Sequence, residues 1–244
     1  MKFSYKAYSE LIEQLKSKGY NISSYHNYLT NDKVAILRHD VDLSVEKALL
    51  MAELEQSLGV SATYFFLLST DFYNIASENT HTKIKQIQNM GHEIGLHFDE
   101  IKYQNSNDTK DILLHLFNEV KVMELILGTT IRAVSMHRPS AITLEANYSL
   151  GDIVNSYSKV FFHEFKYVSD SRRLWREDVV NIINSGEFNK LHILTHPFWY
   201  NNKELTAKES LSEYIKKASM ERYYGVKDNI SDIEEFFCIN ETII

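Results

Sequence analysis

Five apolar runs in this sequence end in ionisable groups: Asp40 and Asp42, His97 and Asp99, His137 and Arg138, Asp170, and His196. Carboxylates, imidazoles and a guanidinium are the groups that hold a divalent ion and move protons near neutral pH. Asp40 and Asp42 are two residues apart, so on a strand both side chains point to one side. The single cysteine, Cys238, excludes a disulfide framework and any zinc site built on several thiolates. A metal here needs His and carboxylate ligands. Both prolines, Pro139 and Pro197, and both tryptophans, Trp175 and Trp199, lie within five residues of these groups.

Such distant residues cooperate only if the elements that carry them share one rim. The run Val34–Leu37 leads into Arg38-His39-Asp40-Val41-Asp42 and reads as a buried strand ending in charge. Ser44 can cap a helix whose apolar positions Val45, Ala48, Leu49 and Ala52 follow a helical spacing, and Gly59 ends it. Val60–Leu68 reads as a second strand and as barrel core and wall, and residues 80–90 as a helix stopped by Gly91. His92–His97 reads as a third strand, in which Gly95 permits close packing and His92 is structural. Asp108–Leu127 reads as a long helix, Ile131–Met136 as a strand, and Phe165–Val168 and Leu191–Leu194 as shorter ones. Late helices are expected from the capping-box pattern at Thr206–Glu209 and from Ser231 with Glu234.

Buried strands alternating with amphipathic helices imply βα units around a largely parallel sheet. Six or seven units without a dinucleotide fingerprint favour an α/β fold of the distorted or incomplete (β/α) barrel kind, in one domain over residues 1–244. In such barrels the C-terminal strand ends form the active face.

The chain of 244 residues has a formal net charge of −7, which argues against a nucleic-acid partner. No apolar run is long enough to span a membrane, and the N-terminus lacks the apolar core of a signal peptide. The expected location is therefore the cytoplasm.

The residues at these strand ends resemble the polysaccharide deacetylase (NodB-homology) superfamily over about residues 34–200. The resemblance is carried by Arg-His-Asp-Val-Asp at 38–42, Gly-His-Glu-Ile-Gly-Leu-His at 91–97, His-Arg-Pro at 137–139 and Leu-Thr-His-Pro at 194–197. It implies Asp40 as catalytic base and Asp42 as metal ligand, although the intervening valine leaves the two roles exchangeable. It implies His97 as a second ligand. The family's next histidine falls four residues later, where this chain has Ile101, so His137 is expected as the third ligand, with Asp99 the next candidate. It implies Arg138 as the group that orients the base, Asp170 as the acid that steadies that arginine, and His196 as the general acid. Tyr167 to Trp175 is a candidate for the substrate groove. His26, His81, His115, His163 and His192 lack such context and read as surface or packing residues.

By resemblance the chain is a hydrolase dependent on a divalent metal, zinc in the first instance. Its substrate would be an N-acylated amino sugar or oligosaccharide in surface polysaccharide synthesis. A hydrolase of a non-sugar C–N bond is the nearest variant. Ile101 motivates a different class, a catalytically silent carbohydrate-binding or regulatory protein, and a scaffold subunit of a synthesis complex is a weaker third.

Overall fold

A computed structural model describes residues 1–103 and 109–242. The chain divides into two compact units, Met1–Asn202 and Lys203–Ile244.

In the first unit, α1 (Tyr5–Ser17) starts where the Ser4 hydroxyl accepts from the Ala7 N–H, and it buries Tyr8, Leu11, Ile12 and Leu15 at helical spacing. Strands β1 (Asn21–Ser23), β2 (Val34–Val41), β3 (Thr63–Phe66), β4 (Glu93–Asp99), β5 (Ala133–His137), β6 (Val154–Asn155), β7 (Lys166–Ser169) and β8 (Lys190–Thr195) pair in parallel throughout. Between them run α2 (Val45–Ser57), α3 (Glu78–Asn89), α4 (Thr109–Leu127), α5 (Ala141–Ala146), α6 (Lys159–His163) and α7 (Val179–Ser185).

Around the sheet the order is β6-β5-β4-β3-β2-β8-β7, with β1 paired to the start of β2. The sheet curls into a half-barrel, and among the described residues its edge strands β6 and β7 are not paired to each other. The expected incomplete (β/α) barrel is the observed architecture.

All eight residues of β2 are buried, as a strand covered on both faces requires. Alternation then sorts its side chains. Ala35, Leu37 and Val41 join the large core that includes α1 and α2 residues, while Val34 and Ile36 join a small inner cluster with Phe65, Ala133 and Tyr25. Gly95 sits opposite Phe65: a Cβ there would lie 2.5 Å from the ring and 2.8 Å from the Ala133 carbonyl oxygen. Only glycine allows that approach.

Ser44 caps α2 through the Lys47 N–H, as expected. The second strand is shorter than Val60–Leu68, because only Thr63–Phe66 finds partners on both sides. Asp108, the expected start of the long helix, lies outside the described residues.

The second unit contains α8 (Ala207–Lys227), opened by a reciprocal capping box between Thr206 and Glu209. The helix expected after Ser231 is a single 3-10 turn, Ile233–Glu235. Ile233 is its one buried residue, too small an anchor to offset the cost of starting an α-helix. No helix among the described residues is long and apolar enough to cross a membrane.

Candidate active site

The period-two alternation that fills the inner cluster also sends Asp40 and Asp42 from β2 and the following turn, His97 from β4 and His137 from β5 to the C-terminal rim. There Asp42 Oδ1 lies 3.2 Å from His97 Nε2 and 3.4 Å from His137 Nδ1, and the two imidazole nitrogens are 3.0 Å apart. Ligands about 2.0–2.1 Å from a tetrahedral ion are about 3.3 Å from one another. The three edges of this triangle match that spacing.

Protonation agrees with the spacing. The Arg38 guanidinium donates to Ser135 Oγ, and the Ser135 hydroxyl donates its one proton to Asp40 Oδ1 at 3.3 Å. At 2.9 Å from His97 Nδ1, Ser135 Oγ can then only accept, so Nδ1 carries the proton and Nε2 presents its lone pair. Asp42 Oδ1 is buried and accepts no hydrogen bond. A buried carboxylate oxygen without a donor, facing an imidazole lone pair, fits a cation. The donor set of two nitrogens and one oxygen suits zinc, and the open side of the triangle faces the cleft.

Asp40 stands beside this triangle. Its two oxygens accept from Arg38 Nε at 2.9 Å and Nη2 at 2.8 Å, a bidentate fork buried completely on the arginine side. Burial would raise the Asp40 pKa, but the Arg38 guanidinium pulls it below its ordinary value, so the carboxylate is ionised and can receive a proton. Arg38 is itself sandwiched near Tyr157 and Phe65, at 4.6 and 5.5 Å from the ring centres.

On the far side, His196 Nε2 lies 3.9 Å from Asp42 Oδ2. Its Nδ1 pairs with Asp170 Oδ1 at 2.6 Å, and its backbone N–H donates to the same carboxylate. The Tyr200 hydroxyl donates to the other Asp170 oxygen at 3.1 Å. Burial disfavours a charged His196, but Asp170, with Asp42 and Asp40 behind it, raises its pKa to about 9.

Two sequence-based contacts are corrected. Arg138 does not hold Asp40; it donates to Asp99 Oδ2 at 2.7 Å. It follows β5, three strands from β2 in the sheet, whereas Arg38 sits two residues before Asp40 on the same face of the same strand. Asp170 does not steady that arginine; β7 adjoins β8, so it meets His196. Asp99, committed to Arg138 and to the Ile101 N–H, stands outside the ligand triangle.

A cleft of about 700 Å³ covers the triangle. Its lining includes Asp40, Asp42, His137 and His196, with the aromatic side chains Phe72, Phe198 and Trp199. Tyr167 and Trp175 do not line it: Tyr167 packs on His192 inside the sheet, and Trp175 packs against the main core. Arg38 and Ser135 are the site residues that the sequence reading assigned no role. A charged residue in the middle of an apolar strand, two positions before a carboxylate, was the available signal for Arg38; Ser135 had none.

Neither a family model nor a curated protein sequence matches the chain. Among solved structures it is similar to a chitin deacetylase from the fungal pathogen Colletotrichum lindemuthianum, with 15% identity over 75% of this chain and 81% of that one, at a TM-score of 0.46. It is also similar to a family 4 acetyl xylan esterase from Clostridium thermocellum in complex with a cobalt ion, with 16% identity over 78% and 85% of the two chains, at 0.43. A third is a CE4 family pseudoenzyme from Bacillus anthracis, 16% identical over 77% of this chain and 60% of that one, also at 0.43. These neighbours are of the group whose motifs the sequence resembles. A likeness this distant carries no reaction with it.

Proposed function

We propose that the chain is a hydrolase dependent on a divalent metal, zinc in the first instance, that removes an N-acyl group from an amino sugar. The observation that carries this reading is the Asp42–His97–His137 triangle, whose buried carboxylate oxygen has no donor, set between an ionised acid and a protonated imidazole. Acetyl is the expected acyl group and surface polysaccharide synthesis the expected setting.

An ion held by Asp42, His97 and His137 supplies Lewis acidity towards a carbonyl oxygen and makes water more acidic. Asp40, kept ionised by the Arg38 fork, takes the proton from the attacking water. His196, kept protonated by Asp170, stands across the site and delivers a proton to the departing nitrogen. The cleft aromatics offer apolar faces to a sugar ring.

The test is metal analysis of the purified chain, followed by acetate release from N-acetylated amino sugars with and without a chelator. The reading expects about one ion per chain and turnover lost on chelation and in Asp40→Asn. A chain that binds no ion, or an Asp40→Asn variant as active as the wild type, ends the hydrolase reading and leaves a silent sugar-binding protein.

A further inference from the structure

The cleft is charged unevenly, and the unevenness follows the strand order. Its aromatic lining comes from segments after β3 and β8, namely Phe72, Phe198 and Trp199. Its cations come from segments after β4 and β5, namely Lys102 and Arg138. The ligand triangle joins the two walls: His97 and His137 come from β4 and β5 on the cationic side, and Asp42, with His196 beyond it, follows β2 and β8 on the aromatic side.

Arg138 is an unusual residue for a structural ion pair. It is next in sequence to the ligand His137, its backbone has a φ of 50°, and its side chain is 59% exposed. A left-handed conformation is unfavourable for an arginine and persists only where the surroundings hold it. Its one hydrogen bond among the described residues goes to Asp99, which fixes the guanidinium and leaves its other N–H donors to the cleft. Lys102, which also lines the cleft, is 3.6 Å from Glu119, beyond direct hydrogen-bond length.

The negative lining groups, by contrast, already have partners. Asp40 is matched by Arg38 and Asp99 by Arg138, and Asp42 faces the proposed ion and His196. The exception, Asp71, is exposed on the segment that carries Phe72. On the β4–β5 wall the remaining N–H donors of Arg138, with Lys102 beside them, line the cleft.

We propose that Arg138 and Lys102 form an anion subsite, so that the substrate carries a carboxylate or phosphate on the sugar that bears the scissile amide, or directly beside it. The planar fork of Arg138 suits either group. The adjacency of Arg138 to His137 places that anion next to the reacting amide rather than at a remote position along a polymer. The inference rests on the hydrolase reading for the identity of the amide.

The experiment uses the full chain loaded with zinc and three N-acetylated amino sugars: a neutral one, one with a carboxylate on the ring, and one with a phosphate at the anomeric oxygen. The expected result is that kcat/KM for at least one anionic sugar exceeds that for the neutral sugar by about tenfold or more. Arg138→Gln and Lys102→Gln each lower that ratio, Arg138→Gln more, and Arg138→Lys restores part of it. Which anion is preferred tells carboxylate from phosphate. Equilibrium binding of the same sugars separates the two readings. Charge-selective binding that Arg138→Gln abolishes, without turnover, upholds the subsite and overturns the hydrolase reading. Turnover with equal kcat/KM for all three sugars, or a preference indifferent to both substitutions, overturns the subsite alone. Neither binding nor turnover overturns both.

Discussion

Strand β2 separates two buried polar clusters, one on each face. On the inner face Arg38, Asp40 and Asp42 meet Ser135, His97 and His137. On the outer face His39 meets Glu55, Tyr8, Tyr64 and Thr195. Both combine carboxylates with imidazoles, the outer one fully buried and the inner one half-buried at Asp42 and His137. Glu55, however, accepts from Tyr8 at 2.5 Å and His39 at 2.8 Å on one oxygen, and from Tyr64 at 2.6 Å on the other. Its neighbour His39 uses its second nitrogen on Thr195 Oγ1 at 2.6 Å. The outer cluster is closed, with donors and acceptors matched. The inner cluster leaves Asp42 Oδ1 without a donor and turns it towards a cleft. A closed polar cluster stabilises the fold; an open one is what a ligand completes.

Substitutions should therefore have opposite signatures on the two faces. Asp42→Ala removes one ligand of three at the half-exposed end of the triangle. The ion stoichiometry should fall towards zero and kcat/KM by about a thousandfold or more, while the metal-free protein melts close to the wild type. Elemental analysis and calorimetry on the same samples would check this. A large loss of metal-free stability would erase the contrast.

Glu55→Ala should do the reverse. It strands the Tyr8, Tyr64 and His39 donors inside the core, at a cost of about 3–5 kcal/mol in denaturant unfolding. Protein that remains folded should still bind its ion. Loss of metal affinity without loss of stability would show that the outer cluster serves the site instead.

Much of the inner cluster was legible in the sequence because it depends on local rules. Alternation puts Asp40 and Asp42 on one side of a strand, and strand C-termini share a rim in a parallel barrel. The pairings were not legible, because they depend on strand order. That β7 adjoins β8, giving Asp170 to His196, is a property of the assembled sheet. So is the distance of Arg138 from β2. Glu55 looked like any charged residue on a helix. Its burial is decided by Tyr8 from α1 and Tyr64 from β3, which meet it only after packing.

The Asp170–His196 pair belongs to the open cluster and offers a pH signature. The folded-state pKa of His196, about 9, lies above the ordinary value of 6.5. The stability it contributes is thus full below about pH 6.5 and is lost as pH rises through about 9. In the metal-free protein this amounts to about 3 kcal/mol at most. Unfolding measured from pH 6 to 10 should show that slope in the wild type and lose it in Asp170→Asn. A flat profile in the wild type would remove the argument that His196 is held protonated.

The smallest effect concerns the floor beneath the site. Gly95→Ala brings a methyl group against the Phe65 ring and the Ala133 carbonyl, and the carbonyl cannot move aside as a ring can. A cost of about 1–3 kcal/mol is expected. His97 lies two residues further along the same face, so ion affinity should weaken as well. An ion affinity unchanged by the substitution would show that the triangle is insulated from its floor.

The most direct measurement is the structure of the chain loaded with a single equivalent of zinc or cobalt. The account predicts the ion about 2.0–2.2 Å from Asp42 Oδ1, His97 Nε2 and His137 Nδ1, with Asp40 and His196 on either side and not bound to it. An ion at any other group of residues, or a triangle that stays empty at saturating metal, would contradict it.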